Sequence, residues 1–193
     1  MATKNPKCLV IDTSVMLAAG GVDAVHPTPK LCRDFLNEVL KLGHIIIMTD
    51  DLFAEWNRHG LPTKSLLGKS PSWYVMMERK GRVRRVLGNT VRPELRQAVF
   101  AVLEANAQET VNKDMHLIEA ALLADEIVVS KEVKVRKHFR NAALRLAELQ
   151  VIVWVNPAVP EEGCITWLRA GAPAEIERLV MNFKERETDD STE

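Results

Sequence analysis

Lys7-Cys8-Leu9-Val10-Ile11-Asp12-Thr13-Ser14 is the stretch that decides the fold. Its apolar run does not alternate, so the strand it predicts is covered on both faces. The run ends on an acid, Asp12. The same form returns three times. His44-Ile45-Ile46-Ile47-Met48 precedes Thr49, Asp50 and Asp51; Ile127-Val128-Val129 precedes Ser130; Val151-Ile152-Val153-Trp154-Val155 precedes Asn156. Helical segments alternate with these strands. Leu31, Phe35, Val39, Leu40 and Leu42 recur near helical spacing until Gly43 stops them. Buried strands alternating with helices predict an α/β protein, a three-layer α/β/α stack around a central parallel sheet.

The remaining elements follow from their punctuation. Thr49, Asp50 and Asp51 offer N-caps for a helix through Trp56. Residues 60–72, with Pro62, Gly68 and Pro71, read as loop, and Trp73 to Leu87 as a helix. Pro93 suits the first turn of a helix reaching about Ala107. Asn112 or Lys113 opens the next, and Glu132 to Leu149 forms another. Residues 156–163 are a connector. One or two short helices follow, and the acidic residues 189–193 are expected to fray.

Hydrophobic residues make up 47% of 193, enough for a sizeable core. Cys8, Cys32 and Cys164 show neither metal-ligand spacing nor a disulfide framework, which fits a reducing cytoplasm. No run has the length and apolarity of a membrane span. Net charge is zero, yet residues 58–96 hold ten basic residues against Glu78 and Glu94. That segment is therefore +8 and the rest −8. Such segregation points to an anionic partner, with Arg79, Lys80, Arg82, Arg84 and Arg85 as the phosphate-contacting set. Trp56, Trp73 and Tyr74 could stack on bases or simply fill core.

Sites in open parallel sheets form at the carboxyl ends of strands. Asp12, Asp50, Asp51, Glu55 and Glu132 follow strands. Asp114 begins a helix that returns antiparallel to them, so it starts at the same edge; Asp125 enters a strand at its amino end and belongs to the other edge. Carboxylates converging on one edge repel one another, and a hard divalent cation such as Mg²⁺ or Mn²⁺ relieves that repulsion. Taken singly, Asp12 can be a helix cap, and Asp114 and Glu132 can be favourable charges at helix starts. The five histidines show no ligand spacing, although His116, beside Asp114, could reach the site mouth.

Four stretches in chain order resemble the motifs of PIN-domain nucleases. Leu9-Val10-Ile11-Asp12-Thr13-Ser14-Val15-Met16-Leu17 is similar to the family's opening. Leu52-Phe53-Ala54-Glu55-Trp56 resembles its second motif and Asp114-Met115-His116-Leu117-Ile118-Glu119-Ala120-Ala121 its third. Val128-Val129-Ser130-Lys131-Glu132 resembles the fourth, with Glu where the family has Asp. The likeness covers residues 7–156. It implies a PIN-like domain over residues 1–156, with 58–96 as a basic helical insertion or cap, and 157–193 as a C-terminal helical extension. It implies a cytoplasmic ribonuclease hydrolysing single-stranded RNA with Mg²⁺ or Mn²⁺. Asp12, Asp114 and Glu55 would be metal ligands, Glu132 a further catalytic carboxylate, and Thr13, Ser14 and Ser130 supporting groups. Structured RNA, an antitoxin protein in a toxin–antitoxin pair and a second copy of the chain are the other partners it leaves open. Two other readings compete. One is a PIN-like module that binds RNA or protein without cleaving. The other is a phosphatase of the haloacid dehalogenase type, which would place a second Asp where this chain has Ser14.

Overall fold

The computed structural model describes residues 5–20, 27–60 and 72–184. Five strands form one sheet: β1 (Cys8–Ile11), β2 (Ile45–Thr49), β3 (Val83–Val86), β4 (Ile127–Val129) and β5 (Val153–Val155). Their order is β3-β2-β1-β4-β5, and every pairing is parallel. The central strands β1 and β4 are buried at every position, as their unbroken apolar runs require.

Nine α-helices are described. They are α1 (Thr13–Ala18), α2 (Pro27–Leu42), α3 (Asp50–Arg58), α4 (Trp73–Arg79), α5 (Pro93–Val102), α6 (Ala105–Ala121), α7 (Val133–Ala143), α8 (Ala147–Gln150) and α9 (Cys164–Arg169). The long α6 crosses β1, β2 and β4 with α5 and α7 beside it, while α2 packs with α1, α4 and α9. Sheet and helices are consistent with a three-layer α/β/α arrangement. α6 buries Ala107, Val111, Met115 and Ile118, spaced three or four apart on one face. α2 stops at Gly43, whose φ of 79° is the left-handed conformation of a helix C-terminus. A Cβ there would also lie 3.1 Å from the Arg82 guanidinium.

Three expected boundaries change. The helix expected from Trp73 to Leu87 ends at Arg79; Gly81 turns the chain at φ 65°, and Val83-Arg84-Arg85-Val86 becomes the edge strand β3. The basic region 58–96 is therefore not a helical insertion throughout, since it completes the sheet. Charged residues are characteristic of an edge strand, where one side of the ladder is unpaired. The helix expected to open at Asn112 or Lys113 begins at Ala105, because the break between α5 and α6 lies at Leu103–Glu104, where Gln108 Nε2 donates to the Phe100 and Leu103 carbonyls at 2.9 Å each. The helix expected from Glu132 to Leu149 is divided into α7 and α8.

The C-terminal segment is built into the body. Trp167, Leu168 and Val180 are buried in the core, and Arg169 Nε donates to Glu38 of α2 at 2.8 Å. Leu179 makes an antiparallel bridge to Val153, covering the outer edge of β5. Trp56, Trp73 and Tyr74 are core residues, 0–2% exposed. The cysteines are buried and free. No helix among the described residues is long and apolar enough to cross a membrane. Lys64, Lys69 and the acidic end 189–193 lie outside the described residues.

Candidate active site at the sheet's carboxyl edge

The chain lays down β1, β2 and β3 in one direction and then returns to place β4 on the other side of β1. That reversal opens a crevice at the carboxyl ends of β1 and β4, the position where open α/β sheets bind ligands. Asp12 follows β1 there and Ser130 follows β4. The Asp12 amide donates to the Val129 carbonyl at 3.0 Å, continuing the ladder one step past the strand.

The Asp12 side chain is 4% exposed and bound on both oxygens. Its Oδ1 accepts the Ser14 amide at 3.3 Å, capping α1, while its Oδ2 accepts the Ser14 and Ser130 hydroxyls at 2.5 and 2.6 Å. Each hydroxyl accepts a backbone amide in turn: Ser14 Oγ from Lys131 at 3.2 Å, and Ser130 Oγ from Glu132 at 3.1 Å. The cap and the strand-end site are thus one structure. The two hydroxyls fix the carboxylate's rotation and tie the ends of β1 and β4 together.

Asp114 lies midway along α6 rather than at its start, yet it reaches this edge. α6 ends at Ala121, near the amino edge that feeds β4. Seven residues back along a helix is roughly 10 Å, about the length of a three-residue strand. Burial and then the charge of Asp12 push the Asp114 carboxyl up to about 7; His116 opposes them, and Glu55 and Glu132 add smaller upward effects. The structure therefore brings Asp12, Glu55 and Glu132 within electrostatic reach of Asp114.

Glu55 comes from α3, which Thr49 caps by accepting the Leu52 amide at 3.3 Å. Its Oε2 stands 3.2 Å from His116 Nε2. That imidazole holds the Glu55 carboxyl below the usual range. Burial disfavours the charged imidazole, but Glu55, Asp114 and the Lys113 carbonyl outweigh it and raise the His116 pKa. Thr13 is buried at the first position of α1. Glu132 is exposed at the N-cap position of α7, where its side chain makes no cap bond. Asp50 accepts the Gly88 amide at 3.1 Å and anchors the loop after β3. Asp125 accepts the Cys8 amide at 2.7 Å at the amino edge, away from the site.

The expected basic set is not gathered at the carboxylates. β3 runs parallel to β2, so Arg79, Lys80 and Arg82 precede it on the amino edge, where Arg82 approaches Gly43. Arg85 is engaged by Glu78 at 3.0 Å, by the Tyr74 hydroxyl at 2.8 Å and by the Phe53 ring at 4.4 Å. Arg84 lies on the strand between them, near enough to Cys8 to oppose the rise in that thiol's pKa. Arg92 and Arg96 pair with Glu148 and Glu119. Two features escaped the sequence reading. One is His116 as the partner of Glu55. The other is a second basic stretch, residues 131–145, with six basic residues against Glu132 alone, whose helix α7 starts at the site.

A divalent cation is the group these acids imply. Among the described residues, no three His, Cys, Asp or Glu side chains stand close enough together to enclose a metal ion. Mg²⁺ ordinarily takes one or two protein carboxylates and completes its octahedron with water and substrate oxygens. The donors fit that mode: they are carboxylate oxygens, and Asp114 is disfavoured as an anion by burial and then by its acidic neighbours. The chain matches no family model, no curated protein and no solved structure.

Proposed function

We propose that this chain is a divalent-metal-dependent ribonuclease of the PIN type, hydrolysing phosphodiesters in single-stranded RNA. The observation that carries the reading is Asp114 at the sheet's switch point, pushed up to about 7 by burial and then by the charge of Asp12, with Glu55 and Glu132 adding to it. An acidic cluster of this kind, with Asp12 buried and Asp114 half-buried, suits a cation and a phosphate better than it suits folding. Asp12 and Asp114 would hold Mg²⁺ or Mn²⁺. Bound there, the cation would polarise a phosphate oxygen and lower the pKa of its water. The chain's own groups do the rest. The Ser14 and Ser130 hydroxyls orient Asp12, and Glu55, positioned by His116, can accept a proton at its carboxylate. Glu132 contributes charge from the exposed rim.

Asp12→Asn and Asp114→Asn keep the shape and remove the charge. Each should lower Mn²⁺-stimulated cleavage of single-stranded RNA about a thousandfold. Equal cleavage in EDTA and in Mn²⁺ would overturn the reading. A second reading, an RNA- or protein-binding module without cleavage, is favoured by the absence of three enclosing side chains among the described residues. RNA binding by pure protein that never turns over at any Mn²⁺ concentration would select it.

A further inference from the structure

Helix α7 begins at the carboxylate edge, just after β4, and runs back beside α6. It buries Val135, Phe139, Ala142 and Ala143. One flank, with Val133, Arg136 and Leu144, lines a cleft of about 1190 Å³ against residues 159–184. The other flank carries Lys134, His138, Asn141 and Arg145, spaced four, three and four apart, which is a single stripe along a helix. The last turn holds this line, since the Arg145 amide donates to the Ala142 carbonyl at 3.0 Å. Lys134, Asn141 and Arg145 are exposed and His138 is half-buried. Lys134 to Arg145 spans roughly 16 Å.

The charges on this stripe differ from those on the chain's other exposed helical faces. There, lysines stand beside an acid three or four residues away: Lys30 with Asp34, Lys41 with Glu38 and Lys113 with Glu109. Such pairs support a solvated helix. Three and four residues either side of Lys134 stand Lys131, Ser130, Lys137 and His138, none of them an acid. Like charges at that spacing oppose the helix. Glu132 is two residues from Lys134, a spacing at which helical side chains do not meet. Lys134 also lies in the first turn of α7, where a cation opposes the helix dipole. Glu148, three residues beyond Arg145, is engaged by Arg92. Among the described residues, neither Lys134 nor Arg145 has an ion-pair partner. Arg145 suits the carboxyl end of a helix, but Lys134 costs the helix something that folding does not return. A polyanion along the stripe relieves that cost.

We propose that this stripe of α7 is the track of single-stranded RNA leaving the carboxylate edge. Lys134 binds a phosphate close to the cleaved one, and Arg145 binds one farther along the strand. The inference rests on the ribonuclease reading for its substrate and adds where the strand lies. The carboxylates repel a polyanion, so a strand brought to them needs cations beside them, and residues 79–82 lie on the opposite edge of the sheet. Contacts of this kind hold the backbone and carry no base information, so the track accepts strands regardless of sequence.

The test uses the full chain and a short labelled single-stranded oligoribonucleotide. Binding is measured by anisotropy in EDTA across a KCl series, and cleavage separately in Mn²⁺. Lys134→Gln and Arg145→Gln should each flatten the log–log salt slope by about 0.7, and the double variant by about 1.4. Lys134→Arg should keep the wild-type slope, and so should Lys80→Gln on the opposite edge. In Mn²⁺, Lys134→Gln should raise KM and leave kcat unchanged. An unchanged slope in both single variants, or salt-independent binding by wild type, overturns the track. Binding of polyglutamate that the two substitutions weaken, with the RNA slope unchanged, assigns the stripe to an acidic protein and also overturns it. If cleavage persists alongside either result, the ribonuclease reading stands without the track. If the slopes flatten as expected but nothing is cleaved, the track stands and the ribonuclease reading falls.

Discussion

Helix α6 carries a buried acid, Glu119, and a half-buried one, Asp114, and they have opposite fates. Glu119 is wholly buried, yet Arg96 donates to both its oxygens at 2.8 and 2.6 Å and the Arg92 amide adds a bond at 2.8 Å. Against the opposing effect of burial, these partners lower its pKa. Asp114 is less buried, yet burial and then Asp12, with smaller additions from Glu55 and Glu132 and only His116 to offset them, raise it to about 7. Burial therefore does not separate the structural acid from the candidate catalytic one; partners do. One end of the helix is electrostatically complete. The middle is left incomplete, which is how residues at functional sites commonly stand.

The largest effect should come from breaking the complete end. Arg96→Met leaves the Glu119 charge buried and without its guanidinium, at a cost of about 3–5 kcal/mol. Urea unfolding should show the loss as a lower midpoint with an unchanged slope. Asp114→Asn should do the reverse, raising the melting temperature of the metal-free protein by about 2–4 °C. Equal destabilisation by the two substitutions would remove the distinction between the two acids.

The pH dependence of that difference has a definite sign. A carboxyl raised from 3.8 to about 7 binds its proton more tightly folded than unfolded. Its contribution is absent below about 3.8 and grows increasingly destabilising as pH rises to about 7. Glu119, whose pKa is lowered, contributes stability above its unfolded value of 4.5 and loses it as pH falls through its folded value. In EDTA, the stability of wild type relative to Asp114→Asn should therefore fall between pH 4 and 7 and level off above. Thermal melts of the pair across that range measure it. A flat difference would mean that Asp114 is not the group in conflict.

Much of this was legible in the chain. β1, β2, β4 and β5 are short runs apolar on both faces, and covering both faces leaves little choice but a parallel sheet between helices. β3 was not legible, because Val83-Arg84-Arg85-Val86 has neither an apolar run nor alternation; its strand character comes from pairing with β2. Asp12 could be placed because an acid directly after a buried strand has one destination. Asp114 was assigned to the correct edge although its helix starts earlier, since that edge depends on where the helix ends. The pairing of Glu55 with His116 joins two helices distant in sequence, and no local pattern records it. The same holds for Glu119: as one acid among the apolar residues of α6 it carries no sign of Arg96. The cleft needed the C-terminal segment to fold back across α7, which no motif foretold.

The smallest effect expected concerns Glu132, and it bears on how the incomplete cluster around Asp114 is built. Glu132 is exposed, and its influence on Asp114 ranks below those of Asp12 and Glu55. Solvent screens an exposed charge far more than a buried one. Glu132→Gln should therefore lower the Asp114 titration midpoint less than Asp12→Asn does, as followed by carboxyl NMR in EDTA. In Mn²⁺ the same variant should need more metal for half-maximal cleavage but still turn over, whereas Asp12→Asn should not. Glu132→Asp keeps the charge on a shorter arm, so it should retain activity and leave the Asp114 midpoint close to wild type. The two readouts test different things. A shifted midpoint with an unchanged metal requirement would make Glu132 a bystander that adds charge to the edge. A raised metal requirement with an unshifted midpoint would assign it to the metal's hydration sphere. If Glu132→Gln matches wild type in both, the incomplete cluster consists of Asp12, Glu55 and Asp114 alone, and Glu132 is an acid at a helix start.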